Sequence, residues 1–417
     1  MPNSTISVIG LGYIGLPTCA AFANSGINVH GVDLNNQVVE IINDGKIHIV
    51  EPGLLEIVRK VVESGKLRAS TKTQEADAFI IAVPTPFKGD NFEPDLSYIE
   101  SAAELIAPVL KDNDLIILES TSPVGTTEYL SEILSSYRKD LIFPHMDTAK
   151  NNIYIAHCPE RVLPGNIMNE IVNNNRIIGG ITPNCSKKAQ DLYKIFVKGD
   201  CILTDSKTAE MSKLVENSFR DVNIAFANEL SLICDNKGID VRELIKLANL
   251  HPRVNILSPG CGVGGHCIAV DPWFIVNSDP KNSKLIKAAR EINDNKPIWV
   301  VEKISDYIKT YLNTHKDKEK SLSLALYGLT FKPNIDDLRE SPALEIALMT
   351  ENLNIPNLYV IEPNISELPP SFKKAKLTDH GFAFKNADIH VFLVNHHEFS
   401  IMDKPKEHFL DICGIWP

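Results

Sequence analysis

Three glycines near the start of the chain limit the folds that it can adopt more than any other feature. They occur in the run Gly10-Leu11-Gly12-Tyr13-Ile14-Gly15, between a short apolar segment that predicts a strand and a run of small residues that predicts a helix. A second predicted strand ends at Asp33. Glycines at this spacing let the main chain approach a pyrophosphate at a helix N-terminus, and an acid about 20 residues further on can bond both ribose hydroxyls. The pattern predicts a dinucleotide-binding domain, and a carboxylate at position 33 favours NAD over NADP because it would repel a 2′-phosphate.

Strands and helices continue to alternate through the first half of the chain. Further strands are predicted near Ala78–Val83, Leu115–Leu118 and Ile153–His157. Strands separated by helices form a parallel, doubly wound sheet, which binds ligands at the carboxyl ends of its strands. The loops that follow these strands, residues 83–86, 119–126 and 158–162, are therefore candidate binding loops, although their Pro, Ser and Thr are also ordinary turn residues.

The second half of the chain changes to long helices and then returns to the alternation. One long helix is predicted from about Lys207 and two more near Ser283–Ile292 and Ile298–Tyr311, before a charged run, 313–320, that is typical of a linker. A strand at 323–327 then begins a second series that has no glycine fingerprint. We predict an α/β fold with two Rossmann-like doubly wound parallel-sheet domains, joined by a central helical domain with a long spine helix. The predicted domains are 1–203 (NAD-binding), 204–312 (central) and 313–417 (a second nucleotide-binding domain, for a different nucleotide).

The composition argues against several classes of protein. A formal net charge of -11 makes a nucleic-acid surface unlikely. No apolar run reaches the roughly 18 residues that a transmembrane helix needs. The eight cysteines include no C-x-x-C pair, which favours reduced thiols over a disulfide framework or a zinc knuckle. We expect a cytoplasmic protein with no nucleic-acid or membrane partner.

A glycine-rich segment, Ser258–Asp271, carries a thiol four residues before a carboxylate. Its glycines leave the main chain open to a ligand, so Cys267 could be a nucleophile at the floor of a pocket, with Asp271 near it. A buried structural cysteine in a glycine-rich turn is the other interpretation of these residues. His266 lies between Cys261 and Cys267 in sequence, but three ligands without a fourth make a poor tetrahedral site, so no metal is predicted.

Polar side chains recur along the predicted long helix. Glu210, Lys213, Asn217 and Arg220 follow one another at three- and four-residue spacing and so share one face. Such a face is usually only solvated. The following part of the helix is too apolar for a surface element, which favours an interdomain spine and a dimer contact.

Six motifs occur in order along the chain: Gly10-x-Gly12-x-x-Gly15, Ser120-Thr121-x-Pro123-x-Gly125-Thr126, Pro159-Glu160-Arg161, Lys213-x-x-x-Asn217, Gly264-Gly265-His266-Cys267-x-x-x-Asp271 and Phe331-Lys332-x-x-x-x-Asp337-x-Arg339-x-Ser341-Pro342. They resemble the UDP-glucose/GDP-mannose dehydrogenase family over essentially the whole chain. Within it, the segments His251–Asn255 and Cys267–Phe274 are most similar to the bacterial branch that acts on UDP-N-acetyl-D-mannosamine. The UDP-glucose branch usually carries a Lys directly before the loop aspartate, where this chain has Val270.

The resemblance implies two successive oxidations of the sugar C6 hydroxyl by NAD, without release of the aldehyde, for bacterial surface polysaccharide synthesis. Cys267 would hold the aldehyde as a thiohemiacetal and then as a thioester, which water would hydrolyse. Lys213 and Asn217 would stabilise the tetrahedral oxyanions. Asp271 and Glu160 are candidates for proton transfer and water activation.

The resemblance also implies binding residues. Besides the three glycines, NAD would contact Tyr13, Ile14, Asp33, Thr85, Thr121, Thr126 and Arg339. The UDP-sugar would contact Arg161, Val162, Lys213, Asn217, Arg220, Gly264, Phe331 and Lys332. His251 and Arg253 would come from the second subunit of a homodimer and complete the active site.

Two other functions remain open at this point. One is a UDP-N-acetylglucosamine or UDP-glucose 6-dehydrogenase, because loop residues do not reveal the configuration of one hydroxyl. The other is a protein that binds nucleotide sugars without turnover. The presence of Cys267, Lys213, Asn217 and Asp271 together disfavours it, because binding alone does not need a nucleophile.

Overall fold

The computed structural model of the protein describes residues 4–89, 92–147, 150–163, 165–265 and 267–416. The chain divides into two compact units, Met1–Val215 and Glu216–Pro417. The division falls inside one long helix, which therefore contributes to both units.

A mixed eight-stranded sheet lies at the centre of the first unit, as far as the described residues show. The strands of this unit, including a short hairpin of β5 and β6 outside the sheet, are β1 (Thr5–Ile9), β2 (Asn28–Val32), β3 (Leu67–Ser70), β4 (Ala78–Ile81), β5 (Phe87–Lys88), β6 (Glu93–Pro94), β7 (Leu115–Leu118), β8 (Tyr154–His157), β9 (Arg176–Gly180) and β10 (Cys201–Asp205). The strand order is β10-β9-β8-β7-β4-β1-β2-β3. Strands β8 and β9 pair antiparallel, whereas the other neighbours are parallel. Strands β9 and β10 therefore run opposite to the other six.

Helices cover both faces of this sheet. They are α1 (Gly15–Asn24), α2 (Asn36–Asn43), α3 (Leu54–Glu63), α4 (Ser97–Ile106), α5 (Thr126–Tyr137), α6 (Ile167–Asn173), α7 (Pro183–Tyr193) and α8 (Ser206–Lys237), which continues into the second unit. Helices α1, α3, α6 and α7 share one apolar core, and α4 and α5 share the other. Strands β4 and β7 are buried along their whole length between the two cores, as expected for a sheet covered on both faces.

The second unit contains helices followed by a smaller parallel sheet. Its helices are α9 (Val241–Ala248), α10 (Asp271–Ser278), α11 (Lys284–Thr314), α12 (Pro342–Glu351), α13 (His380–Asn386) and α14 (His397–Ser400). Its strands are β11 (Ser323–Tyr327), β12 (Asn357–Ile361), β13 (Lys376–Leu377), β14 (Ile389–Phe392) and β15 (Phe409–Asp411), in the order β13-β12-β11-β14-β15. The fold class predicted from the sequence is confirmed, with one difference in strand direction in the first sheet.

Helix α11 corrects the sequence prediction of two separate helices. The sequence pattern predicts a break before Ile298, but one helix continues through Pro297. Proline removes a main-chain hydrogen bond and normally interrupts a helix. Here Val300 and Ile304, on the turns that follow, are fully buried in the core of the second unit, so tertiary packing outweighs the local preference.

The segment predicted as a linker is partly regular. Residues 313 and 314 belong to α11, and Lys316–Lys318 form a short 3-10 helix. Lys318 Nζ donates a hydrogen bond to Asp388 Oδ1 at 2.7 Å, which ties the segment to the second sheet. Within the described ranges, none of the helices combines the length and the apolar character needed to cross a lipid bilayer.

Candidate active site

The three glycines of the β1–α1 loop differ in what surrounds them. Gly10 has a φ of 92°, and a Cβ there would lie 2.5 Å from Ala82 O. A Cβ at Gly15 would lie 1.8 Å from Gly10 O, whereas a Cβ at Gly12 would meet no atom of the described residues within 4 Å. Two glycines therefore let protein segments pack closely, and Gly12 leaves the main chain open just before α1. The N-terminus of a helix is a favourable place for a pyrophosphate.

Asp33 lies at the end of β2 and is fixed to the same loop. Its Oδ2 accepts a hydrogen bond from Leu11 N at 3.0 Å, and its Oδ1 accepts one from Asn35 N at 2.9 Å. A carboxylate has about four lone-pair sites, so these two bonds leave capacity for ribose hydroxyls. The open main chain at Gly12 and the acid beside it fit the NAD that the sequence predicts.

Two threonines predicted to contact NAD are bonded to the loop after β7. Thr85 Oγ1 donates to Thr121 O at 2.5 Å, and Thr126 Oγ1 donates to Pro123 O at 2.7 Å. The first bond joins the loops that follow β4 and β7, and the second lies within the loop that follows β7. They lie at the carboxyl edge of the sheet, where doubly wound folds bind ligands.

Glu210 has a structural role that the sequence did not reveal. It was grouped with Lys213 and Asn217 in one polar face, but its side chain is fully buried. Its carboxylate accepts hydrogen bonds from Gly125 N at 2.6 Å, Thr127 N at 2.7 Å and Thr127 Oγ1 at 2.5 Å. Burial raises the pKa of Glu210, and these hydrogen bonds oppose the increase. A carboxylate here satisfies the first donors of α5 and complements the helix dipole.

Glu160, a candidate proton acceptor, follows β8 and is paired with a buried arginine. Arg176 Nη2 lies 2.5 Å from Glu160 Oε2, and Arg161 N donates to Glu160 Oε1 at 2.8 Å. Arg176 is the first residue of β9, and β9 runs antiparallel to β8. Its side chain therefore starts at the edge of the sheet where β8 ends. The antiparallel direction of β9 therefore brings Arg176 to Glu160. The sequence motif around Glu160 does not predict this partner.

In the second unit, Cys267, Asp271 and Asn217 are linked at the start of α10. Asn217 Nδ2 donates to Asp271 Oδ2 at 2.5 Å, and Cys267 O accepts from Asp271 N at 2.9 Å. Cys267 is partly exposed, whereas Asp271 is buried. The interpretation of Cys267 as a buried structural cysteine does not fit this exposure. A thiol-bearing residue is instead held in a turn beside a carboxylate–amide pair.

The glycine-rich segment packs against the loop that follows β11. A Cβ at Gly264 would lie 2.3 Å from Glu340 O and 2.8 Å from Phe331 Cβ. A Cβ at Gly265 would lie 2.9 Å from the Phe331 ring, and Gly265 N donates to Arg339 O at 3.2 Å. The sequence pattern indicates that these glycines leave room for a ligand, but this explanation is incomplete. On the side that a Cβ would occupy, they make room for other segments of the protein.

The second sheet has an acid in the same topological position as Asp33. Glu362 follows β12, and its Oε2 accepts from Leu329 N at 2.7 Å and from Thr330 N at 3.2 Å. The same oxygen lies 3.0 Å from His396 Nε2. Burial would raise the pKa of Glu362, but the hydrogen bonds from His396 and the main chain lower it to about 2. This acid is fully buried, so it fixes the loop after β11 instead of facing a ribose.

The other predicted residues lie mainly on accessible surface. Arg339 is paired with Asp337, with Nη2 2.6 Å from Oδ2. Tyr13, Arg220, His251, Arg253 and Lys332 are exposed, and Ile14, Arg161, Val162, Lys213 and Phe331 are partly buried. His266 lies outside the described residues. Sequence reasoning gave no role to Glu119, Arg176 or His396, because no local motif contains their partners.

The glycine loop and Asp33 of the first unit are typical of a nucleotide-dependent dehydrogenase. The sequence matches three models of one family, the UDP-glucose/GDP-mannose dehydrogenase family: its NAD binding domain over residues 4–197, its central domain over 207–295 and its UDP binding domain over 325–416. The chain belongs to this family. It is an NAD-dependent UDP-sugar dehydrogenase, as the motifs indicated.

Individual relatives are similar over nearly their whole length. A Campylobacter jejuni protein named UDP-N-acetyl-D-mannosamine dehydrogenase is 59% identical over 404 residues, 96% of this chain and 97% of that protein. A Ralstonia nicotianae protein named NDP-N-acetyl-D-galactosaminuronic acid dehydrogenase is 54% identical over 415 residues, 99% of this chain and 96% of that protein. The solved structure of a UDP-D-ManNAc dehydrogenase from Pyrococcus horikoshii is 37% identical with a TM-score of 0.87, covering 99% of this chain and 96% of that one.

Proposed function

We propose that the protein oxidises the C6 hydroxyl of UDP-N-acetyl-D-mannosamine to a carboxylate, in the cytoplasm, for bacterial surface polysaccharide synthesis. The observation that carries the catalytic part is the partly exposed Cys267 in a turn beside the Asn217–Asp271 pair. The choice of sugar is supported by the Campylobacter relative and by Val270 in place of the Lys of the UDP-glucose branch.

Cys267 keeps the aldehyde on the protein between the two oxidations. Its sulfur adds to the aldehyde carbon, and the aldehyde oxygen gains a proton, which gives a thiohemiacetal. Loss of a hydride from that carbon and of the hydroxyl proton gives a thioester. Water then attacks the thioester, the C–S bond breaks, and the carboxylate and the thiol are released. When bound, NAD supplies the hydride acceptor, and a separate molecule is needed for each of the two oxidations.

Two side chains of α8 and two carboxylates, Asp271 and Glu160, support these steps. Lys213 and Asn217 lie one helical turn apart on α8 and stabilise the oxyanions by charge and by an amide N–H. Asn217 uses one N–H for Asp271, which fixes the amide and leaves the second N–H for substrate. Asp271 and Glu160 accept protons from the hydroxyl and from the attacking water.

The remaining contacts are proposed from the resemblance to the family. The β1–α1 loop, Asp33, Thr85, Thr121, Thr126 and Arg339 contact NAD. Arg161, Val162, Arg220, Gly264, Phe331 and Lys332 contact the UDP-sugar. The Glu362–His396 pair supports the last two of these by fixing the loop that carries them.

The substrate and the stoichiometry can be tested together with limiting UDP-N-acetyl-D-mannosamine. Two NADH should form per sugar nucleotide, because each NAD accepts one hydride. Matched reactions with UDP-N-acetylglucosamine, UDP-N-acetylgalactosamine and UDP-glucose should give little NADH. One NADH per sugar would mean that the aldehyde escapes and that the covalent route is wrong. A protein that binds these nucleotides without forming NADH would support the non-catalytic alternative.

A second candidate is oxidation of a UDP-N-acetylhexosamine of another configuration. The Ralstonia relative favours it, because its name specifies galactosaminuronic acid at 54% identity over nearly the whole chain. Faster turnover of UDP-N-acetylgalactosamine or UDP-N-acetylglucosamine in the same assay would establish it.

The protein is proposed to form a homodimer through α8. Phe219, Phe226 and Ile233 are spaced by seven residues on this helix and are 70%, 51% and 50% exposed. Apolar residues at this spacing form one stripe along a helix, which suits a second copy of the same helix. His251 and Arg253, both exposed, would then complete the active site of the partner subunit.

Light scattering should give twice the chain mass of 46.2 kDa for the dimer. Phe226→Glu should shift the mass to that of one chain, because it places a charge in the apolar stripe. The matched control is Ile401→Glu, which changes another exposed apolar residue outside α8 and should leave the mass unchanged. A monomeric wild-type protein would contradict the dimer.

A further inference from the structure

A buried cluster beside Glu160 joins two carboxylates to one guanidinium. Arg176 Nη2 lies 2.5 Å from Glu160 Oε2, and Arg176 Nη1 lies 3.4 Å from Glu119 Oε1. The side chains of Arg176, Glu119 and Glu160 are only 4%, 0% and 7% exposed. Because one positive charge faces two acids away from water, the protonation of one acid changes the charge that the other acid experiences.

Neutral donors hold Glu119 in this cluster. Tyr193 Oη donates to Glu119 Oε1 at 3.0 Å, and Thr18 Oγ1 donates to Glu119 Oε2 at 3.1 Å. The Tyr193 ring also lies against the guanidinium of Arg176, with Cζ 4.5 Å from the ring centroid. Both oxygens of Glu119 are therefore occupied within the protein, so Glu119 acts on its neighbours and does not itself meet a substrate.

Glu119 is the group of this cluster that titrates near neutral pH. Burial raises the pKa of Glu119 to about 7, with Arg176 opposing the increase and Glu160 adding to it. The thiols that face the cluster stay neutral there, because burial raises the pKa of Cys158 to about 12 and that of Cys19 even more.

We propose that Glu119 is a positioning residue that keeps Glu160 basic by sharing Arg176 with it. The inference rests on the proton-accepting role proposed for Glu160. When Glu119 is ionised, the guanidinium is divided between two carboxylates, and Glu160 binds a proton more readily. When Glu119 is neutral, the guanidinium serves Glu160 alone and lowers its proton affinity.

The pH dependence of kcat for NADH formation tests the proposal. In the wild-type protein kcat should fall as the pH drops through about 7, because Glu119 takes up its proton there. Glu119→Gln keeps the shape of the side chain but is neutral at every pH, so this acid limb should be lost. The plateau should also fall several-fold, because Glu160 becomes a weaker base. Tyr193→Phe removes a hydrogen bond that favours the ionised form of Glu119, so Glu119 takes up its proton more readily and the limb should move to higher pH.

The matched control is Tyr129→Phe, which removes an exposed hydroxyl that donates to Glu100 Oε1 at 2.8 Å. It should leave the profile unchanged. Melting temperature and NAD affinity identify any variant that does not fold, and Tyr193→Phe keeps the test open if Glu119→Gln is unstable. A wild-type acid limb in a folded Glu119→Gln or Tyr193→Phe variant overturns the proposal.

Glu160→Gln separates this inference from the proposed function. If Glu160→Gln loses turnover while the Glu119 and Tyr193 variants keep the wild-type limb, only the role of Glu119 is wrong. If Glu160→Gln keeps full turnover and the same limb, Glu160 is not the proton acceptor, and the inference is wrong with it. The NADH yield of the wild-type protein tests the four-electron reaction independently of both results.

Discussion

Cys267→Ala is expected to abolish carboxylate formation, lowering its rate by about a thousandfold or more. Without the thiol, the aldehyde has no covalent attachment to the protein, and the thioester from which the carboxylate is released cannot form. The NADH yield should fall from two to at most one per UDP-sugar, since only the first oxidation remains. Quantifying NADH and uronate from the same limiting reaction measures both effects.

Cys261→Ala provides the control within the same glycine-rich segment. Cys261 is buried, its Sγ lies 3.2 Å from Leu393 O, and burial raises the pKa of its thiol to about 12. A thiol that remains protonated is a poor nucleophile, so this variant should keep the yield of two NADH per sugar. Full uronate production by Cys267→Ala would contradict the covalent route. Loss of activity in Cys261→Ala alone would show that Cys261, and not Cys267, is the essential cysteine.

Gly12→Ala is expected to weaken NAD binding by about one to two orders of magnitude, because the added methyl group blocks the close approach of a pyrophosphate to the main chain. The fold should tolerate the change. Among the residues that the structure describes, none has an atom within 4 Å of the new Cβ, and Gly12 does not need a positive φ. Titration with NAD, together with a melting curve, measures the two properties separately.

Gly15→Ala should instead lower the stability of the fold. Its Cβ would lie 1.8 Å from Gly10 O, so α1 or the loop has to move, at a cost of about 3 kcal/mol or more in the free energy of unfolding. The melting temperature should therefore fall clearly for Gly15→Ala and little for Gly12→Ala. Unchanged NAD affinity in a stable Gly12→Ala protein would show that the open main chain is not the pyrophosphate site.

Much of the fold was predictable because its signals are local. The glycine spacing and Asp33 lie within one strand–helix–strand unit, and the three glycines and the acid occupy the positions that the pattern required. Strand β7 has the predicted bounds, Leu115–Leu118, because its residues form a continuous apolar run between Asp114 and Glu119. Hydrophobic periodicity and turn residues are sufficient where neighbours in sequence are also neighbours in space.

The sequence by itself determined the class of fold, the dinucleotide loop and the thiol-bearing segment. Only the tertiary structure decided that β9 runs antiparallel and brings Arg176 to Glu160, that Glu210 caps α5, and that α11 continues through Pro297. These features depend on strand order, strand direction and burial against segments far away in sequence. A local pattern specifies which side chains a segment carries, but the charges and donors that surround a buried group are specified only when distant segments pack against it.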